Sequence, residues 1–210
     1  MSLLPQGLSQ TLEALSLSSP AALLIRHGER ADIDPADPYA DVDLTERGQE
    51  QAKLLARLLP FRPSWAAVSP FLRCTKTAGF LGAETTASDE RLGRPGPWVM
   101  DQEAGARLFA ELGTEGVVRA QITGTRWPSF RSQTEGTRLL LAAAVDRLTA
   151  GLGHGVCVSH DAVLMPAIAA LTGERFEGSW LTPLDGFALQ RESGNLRCIW
   201  QGRSYEVPTW

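Results

Sequence analysis

Residues 21–30 read AALLIRHGER, an apolar run that ends abruptly in charged residues around a histidine. The run at 21–25 predicts a buried strand, because short continuous apolar stretches are typical of strands covered on both faces. At its tip lies His27, one of three histidines in the chain, with Arg26 before it and Arg30 three residues after it. We therefore expect a functional site where this strand ends.

The composition is that of an ordinary globular protein, with 43% hydrophobic and 21% charged residues among 210. This length predicts a single domain over 1–210. A net charge of −4 provides no general attraction to nucleic acid or to an anionic membrane. No stretch approaches membrane-spanning length, and no basic residue precedes Arg26 to form the charged start of a signal peptide. The cytoplasm is the default compartment.

The three cysteines, Cys74, Cys157 and Cys198, lie far apart in the chain and form no CxxC pair. Such spacing argues against a disulfide framework and against a zinc site. Cys157 lies in an apolar run and is predicted to be a small core residue. No bound metal and no cofactor is expected.

Apolar periodicity and turn residues predict an alternation of helices and strands along the chain. Helices are predicted at 9–17, 44–59, 72–81, 102–112, 115–122, 135–150 and 162–171. Further strands are predicted at 65–68 and 155–158, a hairpin at 187–190 and 196–200, and loops at 31–43 and 85–97. This order is typical of an α/β protein with a mostly parallel sheet covered on both faces. The segment at about 98–135 is predicted to be a small insertion or cap over the edge of the active site.

Polar residues follow three of the predicted strands at the point where each strand ends. Arg26 and His27 follow the first strand, residues 69–73 follow the second, and His160 and Asp161 follow the strand at 155–158. Ligands of parallel α/β sheets bind beyond the carboxyl ends of the strands. These side chains are therefore expected to meet at one rim of the sheet.

A rim of this composition favours phosphoryl transfer. The planar guanidinium groups of Arg26, Arg30 and Arg73 match the oxygens of a phosphate. A neutral, oriented His27 is a suitable nucleophile, and arginines stabilise the charge that a metal ion stabilises in other phosphoryl-transfer enzymes.

The two residues that follow the predicted strand at 155–158 complete this hypothesis. His160 is placed to donate a hydrogen bond to a phosphoryl oxygen as charge develops there. Asp161 is placed to protonate the leaving oxygen. Taken singly, each of these residues also has a structural interpretation. Each histidine is then a hydrogen-bonded structural residue, Arg73 is a surface residue, and Asp161 is a helix N-cap. The expected convergence is what favours the functional interpretation.

Four blocks of sequence resemble the histidine phosphatase superfamily, which includes phosphoglycerate mutases and histidine acid phosphatases. They are LLIRHGER at 23–30, DLTERGQEQA at 43–52, VSPFLRCTKTA at 68–78 and VCVSHDAV at 156–163. The resemblance implies a three-layer α/β/α sandwich like that of phosphoglycerate mutase and a phosphohistidine intermediate. It also implies that the block at 43–52 is the start of a structural helix.

The resemblance also implies a role for each matching site residue. His27 corresponds to the nucleophile, Arg26 and Arg73 to the residues that clamp the phosphoryl group, and His160 to the residue that completes the pocket. Arg30 joins them as a substrate-binding residue.

The sequence departs from the mutase pattern at the proton donor. Mutases and many small phosphatases carry a glutamate in a stretch like RL-x-E, whereas residues 91–94 read RLGR and place Arg94 there. Glu90 and Asp101 lie nearby but out of register. Asp161, directly after the second histidine, resembles the proton donor of the acid-phosphatase branch, as does the extension of the first motif to Arg30. Asp161 is therefore the predicted acid, with Glu90 and Asp101 as alternatives.

The predicted function is hydrolysis of phosphomonoesters, without metal, through a phosphohistidine on His27. The alternatives are a phosphoglycerate-type phosphomutase and a non-catalytic module that binds phosphoproteins. The substrate is expected to be a phosphorylated small molecule or a phosphoprotein, and the sequence predicts no oligomeric state. If the loop at 31–43 overhangs the site, its aspartates should disfavour highly phosphorylated substrates such as phytate; they are Asp32, Asp34, Asp37, Asp41 and Asp43.

Overall fold

The apolar run becomes strand β1 (Ala21–Arg26), which lies between two other strands inside a seven-stranded sheet. The computed structural model describes residues 4–33, 40–192 and 194–209. The other strands are β2 (Trp65–Val68), β3 (Thr85–Ser88), β4 (Gly155–Ser159), β5 (Gly186–Glu192), β6 (Asn195–Trp200) and β7 (Arg203–Glu206). The helices are α1 (Gln6–Glu13), α2 (Glu46–Leu58), α3 (Leu72–Phe80), α4 (Gln102–Ile122), α5 (Gln133–Thr149) and α6 (Asp161–Thr172).

The strand order is β3-β2-β4-β1-β5-β6-β7. Strands β3, β2, β4 and β1 pair in parallel, whereas β5, β6 and β7 pair antiparallel. Because β1, β2 and β4 run in the same direction, their carboxyl ends meet at one rim of the sheet. The parallel half of the sheet is therefore the half that positions the candidate site.

Helices cover both faces of the sheet, which confirms the three-layer α/β/α prediction. Buried residues of α1, α2 and α3 pack on one face, with Leu8, Leu55 and Cys74 in the same apolar cluster. Buried residues of α4, α5 and α6 form the cluster on the other face. Strands β2 and β4 are buried along their whole length, and β1 is buried at every residue except Arg26, since an apolar layer covers each face.

Most predicted elements are found within two residues of their predicted bounds, but two predictions are wrong. The helix predicted at 9–17 is α1 at Gln6–Glu13, which packs against β5 and β6 and buries Leu8 and Thr11. The loop predicted at 85–97 contains strand β3 and a 3-10 turn at Glu90–Leu92. Every residue of β3 is exposed, so no apolar alternation marks it, and pairing with β2 alone places it in the sheet.

The predicted helices at 102–112 and 115–122 are the two halves of α4. They meet at Gly113, whose φ of 68° and ψ of 166° break the helical backbone. The second half packs against α6, with Val117 and Val118 fully buried. The predicted loop at 31–43 lies partly outside the described residues, and the single domain with an insertion at 98–135 stays a prediction.

Candidate active site

The ends of β1 and β4 bring the two predicted histidines side by side. Arg26 is paired with Ser159 in the parallel register, and the next residues along the two strands are His27 and His160. The His27 amide donates a hydrogen bond to the Ser159 carbonyl at 2.9 Å, which fixes the position of His27 relative to the end of β4. The two imidazole rings meet edge to face, with their centroids 5.3 Å apart.

His27 is held as a neutral ring with one nitrogen occupied. It is 2% exposed, and its Nδ1 lies 2.7 Å from the Gly28 carbonyl oxygen. Since a carbonyl only accepts, Nδ1 carries the proton and Nε2 carries the free lone pair. Burial lowers the pKa of His27 to about 3; the Gly28 bond opposes this shift, and the charges of Arg26 and Arg73 add to it. Near neutral pH the ring is therefore uncharged and nucleophilic at Nε2.

His160 is fixed by two residues of the segment between β2 and α3. Its Nε2 lies 2.8 Å from the Ser69 hydroxyl oxygen, and the edge of its ring meets Phe71. Burial, together with His27 and Arg73, holds the pKa of His160 well below its ordinary value, so this ring is neutral as well. When the Ser69 hydroxyl donates to Nε2, the proton of His160 resides on Nδ1.

Gly93 allows the backbone after the 3-10 turn to run directly against this histidine. A Cβ atom at this position would lie 2.7 Å from His160 Cδ2 and 2.8 Å from the Ser69 hydroxyl oxygen, and the φ of Gly93 is 140°. Both the contact and the backbone conformation require glycine. The stretch at 91–94, which departs from the mutase pattern, is therefore part of the wall that holds His160.

Two arginines flank the histidines, Arg73 buried and Arg26 partly buried. Arg26 donates to the Leu181 carbonyl and forms an ion pair with Asp161 at 3.0 Å. The Arg73 guanidinium lies over the Phe71 ring, 4.2 Å from its centroid, with Asp41 at 3.9 Å. Within the described part of the chain, the Nε atoms of Arg26 and Arg73 are buried and have no hydrogen-bond partner. Buried guanidinium groups with unused donors favour the binding of an anion.

Arg30 lies at the same cavity as the other two predicted arginines. It is half-buried, its Nη1 donates to the Ala31 carbonyl at 2.7 Å, and its backbone bridges to Leu44. All three arginines predicted to contact phosphate are therefore brought together.

Asp161 is the first residue of α6, and it is held by three donors. Trp180 Nε1 donates to its Oδ2 at 2.7 Å, Arg26 pairs with it, and the Ala162 amide donates to its Oδ1 at 2.9 Å. Burial by itself raises the pKa of Asp161, but the charge of Arg26 and the Trp180 bond outweigh this effect and lower it. The carboxyl group is therefore ionised near neutral pH in the free protein.

The alternative acids lie elsewhere. Asp101 caps α4 by accepting from the Glu103 and Ala104 amides, and Glu90 lies in the 3-10 turn; neither lines the cavity. Glu115 does line it and pairs with Arg119 at 2.7 Å. Nothing in the sequence pattern around Glu115 indicated this position, because it depends on how α4 folds over the rim.

The site opens into a cavity of about 360 Å³ beside His27 and His160. Its walls include two aromatic residues, Phe71 and Trp180. The bond from Trp180 to Asp161 spans 19 residues and depends on the segment after α6, so spacing along the chain did not indicate it. The cavity is of the size that binds small organic molecules.

The model of the histidine phosphatase superfamily, branch 1, matches residues 22–94. The match covers 73 of the 210 residues. The matched residues carry Arg26, His27 and Arg73, whereas His160 and Asp161 lie beyond them. No curated protein matches the chain significantly.

Solved structures of similar fold align with most of the chain. YhfR of Bacillus stearothermophilus aligns with a TM-score of 0.61 at 18% identity, covering 88% of this chain and 97% of that one. The mycobacterial glucosyl-3-phosphoglycerate phosphatase Rv2419c aligns with a TM-score of 0.59 at 18% identity, covering 88% and 99%. Rv3214 of Mycobacterium tuberculosis gives 0.55 at 20%, covering 85% and 95%. At such identities the likeness establishes the fold.

The predicted aspartate loop is described only in part. Asp34 and Asp37 lie outside the described residues. Asp41 lies 3.9 Å from Arg73 and accepts from the Leu72 amide, and Asp43 pairs with Lys76. The described end of the loop therefore reaches the arginine side of the site.

Two features are absent from the described residues. No group of three or more histidine, cysteine, aspartate or glutamate residues among them is arranged to hold a metal ion. None of the helices they form combines the length and the apolar character needed to cross a bilayer.

Proposed function

We propose that this protein is a phosphoric monoester hydrolase that works through a phosphohistidine on His27. The observation that carries the proposal is the buried, neutral His27, whose Nδ1 is bound to Gly28. Beside it lie two arginines, and among the described residues their buried Nε atoms have no hydrogen-bond partner. Its fold is shared with the mycobacterial glucosyl-3-phosphoglycerate phosphatase, a protein also solved in complex with inorganic phosphate. The substrate is a phosphorylated small molecule or a phosphoprotein.

In the first step, the lone pair of His27 Nε2 attacks phosphorus. The P–N bond forms as the bond from phosphorus to the leaving oxygen breaks. Arg26 and Arg73 stabilise the charge on the equatorial oxygens, and His160 donates its Nδ1 proton as a hydrogen bond to one of them. The proton of His27 stays on Nδ1, where the Gly28 carbonyl stabilises the charge that the ring acquires.

The leaving oxygen takes its proton from Asp161. In the free protein this carboxyl group is ionised, since Arg26 and Trp180 both stabilise the charge. A phosphate group at the rim competes for Arg26 and adds negative charge next to the carboxylate, and both effects raise its pKa. Binding of the substrate thus converts Asp161 from an ion-pair partner to a proton donor.

The second step reverses these roles. Ionised Asp161 accepts a proton from a water molecule that attacks phosphorus on the side vacated by the leaving group. The P–N bond breaks, the electron pair returns to His27 Nε2, and inorganic phosphate leaves. As phosphate leaves, Asp161 pairs with Arg26 again and returns to solvent the proton that it took up when substrate bound. Each group is then in its starting state, and no step requires a metal ion.

The test measures the turnover of two substrates in the presence of a chelator. Four forms of the protein are compared: the wild type, His27→Ala, Asp161→Asn and His154→Ala. The substrates are 4-nitrophenyl phosphate, whose leaving group needs no proton, and ethyl phosphate, whose leaving group does. We expect His27→Ala to lower kcat on both by at least about a thousandfold, the order lost when a nucleophile is removed. Asp161→Asn should lower kcat on ethyl phosphate by about a hundredfold and on the nitrophenyl ester much less.

His154→Ala is the matched control. This histidine precedes β4, stacks on Phe61 and accepts from the Ala21 amide, away from the rim. Turnover by His27→Ala equal to that of the wild type would overturn the nucleophile. Stable phosphorylation of the protein by a bisphosphoglycerate would instead indicate the mutase alternative, and tight binding of phosphopeptides without phosphate release would indicate the binding module.

A further inference from the structure

A second cavity, of about 300 Å³, lies directly beside the catalytic one. The two share Phe71, Arg94, Pro95 and Phe109 in their walls. A molecule whose phosphate lies at His27 therefore has its remaining part next to this second cavity.

The walls of the second cavity are mainly apolar. Phe71 comes from the segment before α3, Pro95 and Val99 from the segment before α4, and Ala106 and Phe109 from the first half of α4. Hydroxyl groups placed here would lose water without gaining enough hydrogen-bond partners, which disfavours sugar and glycerol leaving groups. Aromatic rings on two walls favour a flat ring between them.

Arg94 lies at the border between the two cavities. Its guanidinium lies 5.2 Å from the centroid of Phe71, the same ring that carries Arg73. Its side chain is exposed, and no carboxylate of the described residues lies within ion-pair distance of it. Arg94 is thus a cation without a carboxylate partner among the described residues, adjacent to both the apolar walls and the arginines of the rim.

The geometry points to a substrate class: phosphomonoesters whose leaving alcohol carries an aromatic ring with a carboxylate. The ring fills the cavity between Phe71 and Phe109, and Arg94 binds the carboxylate at its border. This inference rests on the proposed hydrolase function and specifies its substrate. The position occupied by a proton-donating glutamate in the mutase pattern is here a specificity-determining residue.

The experiment measures kcat/KM for four esters of similar leaving-group acidity, so that chemistry is matched and binding differs. They are ethyl, cyclohexylmethyl, benzyl and 4-carboxybenzyl phosphate. We expect benzyl phosphate to exceed ethyl phosphate by at least about tenfold, from the burial of apolar area. Benzyl phosphate should also exceed the cyclohexylmethyl ester. The carboxylate of 4-carboxybenzyl phosphate should raise kcat/KM about a further fivefold.

Two pairs of variants locate these preferences. Ala106→Trp fills the cavity and should bring the benzyl-to-ethyl ratio close to one, whereas Ala110→Trp, on the exposed face of α4, should leave the ratio unchanged. Arg94→Gln should abolish the preference for the carboxylate, whereas Arg107→Gln, an exposed arginine paired with Glu103, should not. If Ala106→Trp does not fold, as judged by its melting curve, Phe109→Ala tests the same wall.

The outcomes separate this inference from the proposed function. Equal turnover of all four esters would overturn the inference and leave the hydrolase in place. Cyclohexylmethyl phosphate equal to benzyl phosphate would overturn the aromatic ring, and a carboxylate preference that survives Arg94→Gln would overturn the role of Arg94. Failure of every ester, and of 4-nitrophenyl phosphate, would overturn the proposed function itself.

Discussion

The rim that carries His27 and the first half of α4 face each other across the same cavity, but they are built very differently. At the rim, His27, Arg73 and His160 are each buried, at 2%, 5% and 9% exposure, and are tied to neighbouring strands and turns by hydrogen bonds. In residues 102–112, Gly105 is the single buried residue, and Leu112 is 43% exposed.

The difference separates chemistry from selectivity. Groups proposed to attack or bind phosphorus lie on strand ends whose register fixes them, so their geometry is costly to change. Groups proposed to contact the leaving alcohol lie on a segment with little buried area, where substitutions disturb few contacts. We therefore expect changes at the rim to affect stability and catalysis together, and changes in 102–112 to affect selectivity.

The largest expected effect is on the pH dependence of stability at the rim. The pKa of His27 is about 3 in the folded protein and 6.5 in the unfolded chain, so the unfolded chain binds the proton first as pH falls. Stability is therefore lost as pH falls below 6.5. Between pH 7 and pH 5, His27 alone should lower the free energy of unfolding by about 2 kcal/mol. The measurement is urea unfolding at both pH values for the wild type and His27→Asn.

Comparing the variant with the wild type cancels the other titrations. Asp185 acts in the opposite direction, because burial raises its pKa to about 6 and protonation then stabilises the folded state. The loss of stability between pH 7 and pH 5 should be smaller in His27→Asn by about 2 kcal/mol. An identical pH dependence in both proteins would show that His27 takes up its proton between pH 7 and pH 5 in the folded state as well. It would contradict the conclusion that the rim is desolvated.

Ser69→Ala tests whether the rim positions groups for catalysis. Ser69 contacts His160 rather than substrate, so it is a positioning residue. Without the Ser69 hydroxyl, the proton of His160 is no longer held on Nδ1. We expect kcat to fall by about tenfold, or about 1.4 kcal/mol, with little change in KM. Ser69→Thr, which keeps the hydroxyl, should restore most of the activity. The benzyl-to-ethyl ratio should stay constant, since the second cavity is untouched.

A purely structural role for Ser69 would give a different result. It would lower stability and raise KM as the rim loosens, and threonine would rescue activity only as far as it rescued the melting temperature. A changed benzyl-to-ethyl ratio would show that the rim and the segment 102–112 are not independent.

The smallest expected effect on global stability comes from Gly113→Ala in α4. The φ of 68° and ψ of 166° at this residue are nearly exclusive to glycine, so alanine adds strain of at least about 1 kcal/mol. Because residues 102–112 bury so little, this strain should be relieved by local opening. Amide exchange there should accelerate by at least about fivefold, while the global free energy of unfolding changes by less than about 0.5 kcal/mol. A large global loss with unchanged exchange would show that 102–112 is as firmly held as the rim.

Local sequence patterns, above all continuous apolar runs, made most of the fold predictable. The apolar run before His27 and the similar run before His160 predicted β1 and β4, because burial on both faces selects continuous apolar residues. Strand β3 gave no such signal, since each of its residues is exposed and only backbone bonds to β2 define it. The roles predicted for the site residues stay predictions, although the structure does bring those residues to one cavity.

The sequence by itself determined which candidate site residues lie at the ends of the strands, because a histidine or arginine directly after a buried strand has its position set by local structure. Tertiary structure decided the surroundings of those residues. Ser69 and Gly93 meet His160, Trp180 meets Asp161, and Glu115 and Arg94 reach the cavity through contacts between distant segments. Such contacts depend on how helices and turns pack over the sheet, and neither periodicity nor spacing along the chain records that packing.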